Sequence, residues 1–207
     1  MSTIAQIGAW VFAGAILLSL LAIPYDFFIF HPLLACLALV CLTEGITNLQ
    51  PAHTQQEKKT GLIYHQFLNG LAATAIAAGN AIIFTNKVLN GKPHFQSLHS
   101  WFGVATLSYI VCQSLVGVSM VYFPNVFGGV QKARGMWRFH RMSGYAMLFL
   151  AWTTAVLGTN TSWARANLQP QFWVVVWGSV PVVLFGVVMG VRLSKFGIEK
   201  VAQKKEN

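Results

Sequence analysis

Four histidines of this 207-residue chain stand where a polar stretch gives way to a long apolar run: His31, His65, His99 and His140. A histidine entering a membrane-length helix is costly in hydrocarbon unless something binds it. Four of them, each on its own run, have the chemistry of axial ligands. Two neutral imidazoles per iron would serve two buried haems.

The successive ligand spacings are 34, 34 and 41 residues. His31 and His99 open runs that cross in one direction, and His65 and His140 open runs that cross in the other. The first two should therefore share a depth near one face, and the second two a depth near the other. One pair per leaflet results, each from alternate helices of a bundle. One turn beyond each histidine, on the same helix face, the residue is small or modest: Ala35, Asn69 followed by Gly70, Gly103, and Gly144. Gly45 and Gly79 lie 14 residues beyond His31 and His65, and Gly117 and Gly158 lie 18 beyond His99 and His140. At a rise of 1.5 Å per residue these are roughly 21 to 27 Å deeper, at the level of the opposite pair. Each helix then carries a ligand at one level and clearance for a porphyrin at the other. Glycine is also common at membrane helix contacts, which leaves a plainer reading open.

A bare metal ion suits the pattern less well, because zinc takes three or four protein ligands and only Asp26 lies near the outer pair. There is no Cys-x-x-Cys-His stretch, so the haem would be non-covalent. Two histidines per iron leave no open coordination position, which suits electron transfer. Trp101, Phe102, Trp137, Phe139 and Tyr145 are placed either to pack on the macrocycles or to face lipid. Glu44 is the one acidic residue inside an apolar run. A hydrogen bond to a histidine, a part in proton movement, and partial solvation near the span end are all open for it. His53 reads as solvated loop, and His94 as either an acceptor contact or a solvated side chain.

The elements that must position these residues follow from composition. The chain is 55% hydrophobic and 9% charged, where soluble domains carry about 25% charged residues. Six runs reach the roughly 20 residues a bilayer crossing needs: 4–23, 30–50, 62–85, 98–122, 140–160 and 171–191. The expected fold class is all-α: an integral membrane six-helix bundle with a four-helix haem-binding core, one domain over 1–207. The first run lacks a basic leader and reads as a retained helix. Cys36, Cys41 and Cys112 fall inside apolar runs, so no disulfide framework is expected.

The net charge of +9 lies between and after the apolar runs, as expected of loops beside an anionic leaflet. The expected surroundings are membrane lipid and not nucleic acid. Lys58, Lys59, Lys132, Arg134, Arg138, Arg141, Arg192, Lys195, Lys200, Lys204 and Lys205 fall on the side of the termini, against Lys87, Lys92 and Arg165 on the other. Both termini are therefore expected in the cytoplasm.

Ser97-Leu98-His99-Ser100-Trp101-Phe102-Gly103, with Gln113 and Gly117 further along, is similar to the fourth-helix haem motif of the cytochrome b561 family. Thr43-Glu44, His140-x-x-Ser143-Gly144-Tyr145 and the ligand spacings fit the same pattern. The chain resembles this family of transmembrane ascorbate-dependent reductases over nearly its whole length. Its short length, Glu44 and Lys92-Pro93-His94-Phe95 point to the short b561-domain subgroup. The resemblance implies two non-covalent haem b groups, His31 with His99 on the outer one and His65 with His140 on the inner one. It implies ascorbate as cytoplasmic donor, and a ferric chelate or monodehydroascorbate as acceptor, in an endomembrane or the plasma membrane. Lys58, Lys59, Arg134 and Arg138 become candidates to hold an anionic ascorbate, and Lys92 and His94 to contact the acceptor. Gly103 and Gly144 become haem-clearance positions. A homodimer is also suggested, although no span shows a dimer face. The sequence departs from the pattern at Thr47-Asn48-Leu49-Gln50, where many ascorbate-using members carry an arginine.

Two other classes compete with a transmembrane reductase. One is a haem b membrane subunit passing electrons to or from quinone in a larger complex. The other is a non-redox transporter or scaffold, which predicts no haem.

Overall fold

In the computed structural model, which describes residues 2–192, hydrophobic runs have become helices, and no strand occurs among the described residues. The helices are α1 (Ser2–Leu21), α2 (Phe30–Thr47), α3 (Gln55–Leu89), α4 (Leu98–Tyr122), α5 (Val130–Thr159), α6 (Ser162–Asn167) and α7 (Trp173–Gly190). All but the short α6 are long and apolar enough to cross a membrane. The chain is a multi-pass, all-α membrane protein. Lys195, Lys200, Lys204 and Lys205, counted above, lie outside the described residues, as does the rest of the tail from residue 193. Six crossings bring the start of α1 and the end of α7 to one face, here the terminal face.

Caps, and not hydropathy, decide where α3 and α5 begin. Thr54 and Glu57 form a reciprocal capping box, with the Thr54 side chain accepting from the Glu57 N–H at 3.1 Å. That box starts α3 at Gln55, inside the polar stretch and seven residues before the expected span. Gly128 and Gly129, at φ of 82° and 103°, turn the chain sharply into α5 at Val130. His65 and His140 consequently sit ten residues inside their helices, whereas His31 and His99 are second residues of theirs. At 35 and 30 residues, α3 and α5 are about 52 and 45 Å long, well over the roughly 30 Å of hydrocarbon. Their first turns rise from the terminal face as charged collars.

Helices α2 and α3 form one antiparallel hairpin and α4 and α5 another, while α1 packs on α2 and α7. Trp152 of α5, 1% exposed, ties the bundle together. Its Nε1–H donates to Thr43 Oγ1 of α2 at 3.2 Å, and Phe12 of α1 meets its ring edge-on at 5.1 Å. A buried amide links the far side: Gln50 Nε2 donates to Tyr145 Oη and to the Val187 carbonyl, both at 3.2 Å.

Helices α1 and α7 approach backbone to backbone. A Cβ added at Gly186 would lie 2.5 Å from Ala5 N and 2.9 Å from its Cα. Small residues permit such contact in lipid, where dispersion and not hydrophobic exclusion holds helices together. Gly186→Val is expected to cost about 1–3 kcal/mol, read as a lower thermal midpoint in detergent. Gly178→Ala, whose added carbon would meet open space, should leave the midpoint in place. Equal midpoints for the two variants would contradict the close packing.

Candidate functional site

The Ser97-x-x-Ser100 stretch is a helix cap before it is anything else. The Ser97 side chain accepts from the Ser100 N–H at 3.2 Å and the Ser100 hydroxyl answers at the Ser97 backbone, which starts α4 with His99 in its first turn. His31 gains the same place on α2 after the 3-10 turn Phe27–Ile29, with Pro32 tolerated in the first turn. His65 and His140 lie deeper along the bundle, nearer the terminal face.

Within each hairpin the imidazoles reach across to the antiparallel neighbour. His31 Nδ1 bonds the Gly79 carbonyl at 2.9 Å, His65 Nδ1 bonds Gly45 at 2.9 Å, and His99 Nδ1 bonds Thr154 at 3.0 Å. A carbonyl only accepts, so each Nδ1 carries the proton. The lone pair of each ring is then at Nε2, the tautomer a metal requires. Every acceptor lies 14 residues beyond the histidine of its own helix: Gly45 after His31, Gly79 after His65, Thr154 after His140. That offset is about 21 Å of helix, which separates the two levels.

Across the hairpins the rings face one another in pairs. The His31 and His99 centroids are 6.1 Å apart with planes at 76°, and those of His65 and His140 are 6.3 Å apart at 77°. A metal–imidazole bond of about 2.0–2.1 Å, plus about 1.1 Å from nitrogen to ring centre on each side, places two axial rings about 6.3 Å apart. The residues fit a six-coordinate iron whose four equatorial ligands come from elsewhere. Among the described residues no cluster of three or more His, Cys, Asp or Glu side chains could hold a bare metal ion.

The deep glycines lie against the histidines or their neighbours. A Cβ at Gly158 would lie 2.9 Å from His99 Cε1, one at Gly117 3.0 Å from His140 Cε1, and one at Gly79 3.5 Å from the His31 carbonyl. At Gly45 it would meet the Asn69 amide at 2.6 Å, the same side chain that donates to the His65 carbonyl at 2.7 Å. Two of the four, Gly117 and Gly158, are thus sockets for an imidazole of the neighbouring helix. Gly103 opens on free space, and the missing Cβ of Gly144 makes room for Gln113 Nε2 at 3.2 Å. Glu44 turns away from the histidines: it accepts from Trp10 Nε1 at 2.9 Å and from Asn48 Nδ2 at 3.1 Å.

Lys58, Lys59, Arg134 and Arg138 are all exposed on the collars of α3 and α5, above the His65–His140 pair. The Arg138 guanidinium lies over the Phe139 ring at 4.6 Å. None of the four lines the roughly 460 Å³ cleft between the end of α2 and the start of α3. On the opposite face Lys92 is exposed. His94 is half-buried and stacked on Phe84 at 4.4 Å, with Phe95 next to it and Trp101 beyond at 5.4 Å from Phe95. Lys87 pins this loop by donating to the Pro93 carbonyl at 2.8 Å. Trp101 thus faces the loop. The aromatic residue against His31 is Phe28, at 5.6 Å and itself edge-on to Trp163. Neither was among the expected residues, since both sit in connecting segments without periodicity.

Residues 30–165 match the family described as eukaryotic cytochrome b561. The chain belongs to the cytochrome b561 family. That membership implies haem b, and the matched stretch contains all four histidines. The chain is 31% identical over 129 residues to ascorbate-specific transmembrane electron transporter 1 of Zea mays, covering 62% of this chain and 53% of that one. It is 27% identical over 128 residues to transmembrane ascorbate ferrireductase 1 of Arabidopsis thaliana, covering 62% and 52%. A lysosomal membrane ascorbate-dependent ferrireductase of Rattus norvegicus is 28% identical over 99 residues, covering 47% and 39%. The chain spans about half the length of the curated relatives it matches.

The sockets make a direct prediction for this b561 chain. Gly158→Val should push the His99 ring off its seat and lower the haem bound per chain, measured by pyridine haemochrome. Gly135→Ala, with open space around the added carbon, should keep full haem. Full haem in both variants would show that His99 does not depend on the socket.

Proposed function

We propose that this chain is a transmembrane di-haem b oxidoreductase. It moves single electrons from ascorbate at the terminal face, which is cytoplasmic, to a ferric chelate or monodehydroascorbate at the other face. The observation that carries the proposal is two facing histidine pairs, each at the spacing of axial ligands, at two depths of one bundle. His65 and His140 hold the inner haem and His31 and His99 the outer one. Haem iron held by two histidines supplies reversible one-electron chemistry with no open position for oxygen.

The chain's own residues then divide the work. The latched Nδ1–H groups of His31, His65 and His99 keep those three rings in the tautomer that presents Nε2. The collar cations Lys58, Lys59, Arg134 and Arg138 draw an anionic donor to the face nearest the inner pair. Each ascorbate monoanion gives up one electron and one proton and leaves as monodehydroascorbate, while each ferric ion outside becomes ferrous. Lys92 and His94 contact the acceptor, and His94 is joined through Phe95 to Trp101, two residues beyond His99. The described residues favour the same orientation by charge: Lys58, Lys59, Lys132, Arg134, Arg138, Arg141 and Arg192 on the terminal face against Lys87, Lys92 and Arg165. Ascorbate is in the names of the plant and animal relatives, and iron as acceptor in those of the Arabidopsis thaliana and Rattus norvegicus ferrireductases.

Liposomes carrying the purified protein, loaded with ascorbate, test the reading. External ferric chelate should be reduced, the protein should hold two haems per chain, and His99→Ala should lose one haem and the transmembrane reduction together. Reduction supported by an added quinol and never by ascorbate would replace ascorbate as the donor. A wild-type chain holding a single haem would end the two-pair assignment.

A further inference from the structure

The four histidines occupy equivalent positions, and the offset of 14 residues marks the place of each one's partner: Gly45, Gly79, Gln113 and Thr154. Three of these residues accept a hydrogen bond from a ring at their carbonyl. The fourth does not. Gln113 is where the pattern puts the acceptor for His140, yet among the described residues the buried His140 Nδ1 has no hydrogen-bond partner.

Gln113 instead uses its side chain, on the backbone of the ligand and not on its ring. Its Nε2 donates to the His140 carbonyl at 2.6 Å, a short bond for an amide. Its Oε1 accepts from Ser143 Oγ at 2.9 Å, one turn along α5. The His140 carbonyl, which only accepts, fixes the amide with Nε2 toward it, and the Ser143 hydroxyl, also 3.1 Å from that carbonyl, meets the amide at Oε1. Gly144 supplies the room, because a Cβ there would stand 3.2 Å from Nε2. Gly117 leaves the His140 ring a seat, with Cε1 3.0 Å from where its Cβ would be. His140 has a glycine seat like that of His99 but no latch.

We propose that Gln113 is the positioning residue of the inner site: its amide, held at Oε1 by Ser143, fixes His140 through the backbone and leaves the ring's Nδ1–H uncommitted. This rests on the di-haem reading above. A hydrogen bond from the far nitrogen raises the basicity of a ligating histidine. The outer iron therefore has two ligands strengthened in this way, and the inner iron one, from His65. His140 is the weaker donor of the four and depends for its place on the Gln113 amide, with the Ser143 hydroxyl beside it.

Ferric EPR and redox titration of the purified holoprotein read the two haems separately, and the signal lost in His65→Ala marks the inner one. Gln113→Leu is expected to shift the inner signal and its midpoint potential, and to let carbon monoxide bind that haem when reduced. The outer signal should stay where it is. Ser143→Ala should shift the same inner signal to a smaller extent. A Gln113→Leu protein with both haems present and neither signal moved overturns the proposal, as does a shift confined to the outer haem. If Gln113→Leu does not accumulate, Ser143→Ala decides alone, and an unmoved inner signal overturns the proposal. A wild-type chain with fewer than two haems removes the di-haem reading instead, a result read from haem content before any variant is compared.

Discussion

An imidazole within a bilayer must place both nitrogens, and that requirement organises the bundle. Its N–H finds no water, so it needs an acceptor; its lone pair must stay free if it is to bind iron. The backbone of an α-helix offers few acceptors, because its carbonyls are committed along the axis. A carbonyl with its second lone pair exposed beside a small residue is one of the few places to go. Gly45 and Gly79 are such places, and Thr154 is one with Gly158 a turn further on. Each latch sets the register of a whole hairpin, because sliding α3 along α2 by one turn would break both of its latches at once. The α2–α3 hairpin is pinned twice in this way, once at each level. The α4–α5 hairpin is pinned once by a ring at Thr154, with Thr106 Oγ1 on Thr154 Oγ1 at 2.7 Å nearby, and once by the amide of Gln113.

The two levels are alike in geometry and unlike in setting. His31 and His99 lie at helix starts, so their pair is flanked by residues of the connections: Phe28 against His31 with Trp163 behind Phe28, and the Phe95–Trp101 contact beside His99. His65 and His140 lie three turns inside helices, beneath two collars that carry most of the basic residues of that face among the described residues. Aromatic cover suits an apolar boundary and tolerates acceptors of varied shape. A ring of cations suits a small anion. This difference comes from two caps, the Thr54–Glu57 box and the Gly128–Gly129 turn, which extend α3 and α5 by ten residues before their ligands.

How much of this was legible in the chain differs by residue. The six crossings, the helical class and the positions of the four histidines were readable because apolar runs and rare polar intrusions are strong local signals. The small residues at the opposite level were also readable as a pattern. Their purpose was not: spacing says that a glycine faces something at a given depth, and cannot say that the something is an imidazole on the next helix. Glu44 shows the same limit. Its depth put it near His65, but its azimuth points it at Trp10, and azimuth depends on which helix is the neighbour. Hydropathy placed the start of the third span at 62 because it measures what lipid accepts. Helix start is set by unsatisfied N–H groups, and these were served at Thr54.

The family match spans residues 30–165, which takes in the four ligand-bearing helices and leaves out α1 and α7. The physics accounts for that boundary. No latch, socket or facing ring belongs to α1 or α7. Their contribution is close apolar packing around Gly186 and Val183, the Trp10–Glu44 bond, and the Phe12 edge against Trp152. Packing of that kind is met by many sequences of suitable volume, whereas a latch is met by one nitrogen and one carbonyl at one register. The brace still matters to the ligands, because Trp152 on α5 is fixed by Thr43 of α2 on one side and by Phe12 of α1 on the other. Thr43 lies two residues from the Gly45 latch, and Trp152 two from the Thr154 latch. An outer helix that touches none of the four histidines therefore helps set the distance between the two hairpins, and with it the gap between the facing rings.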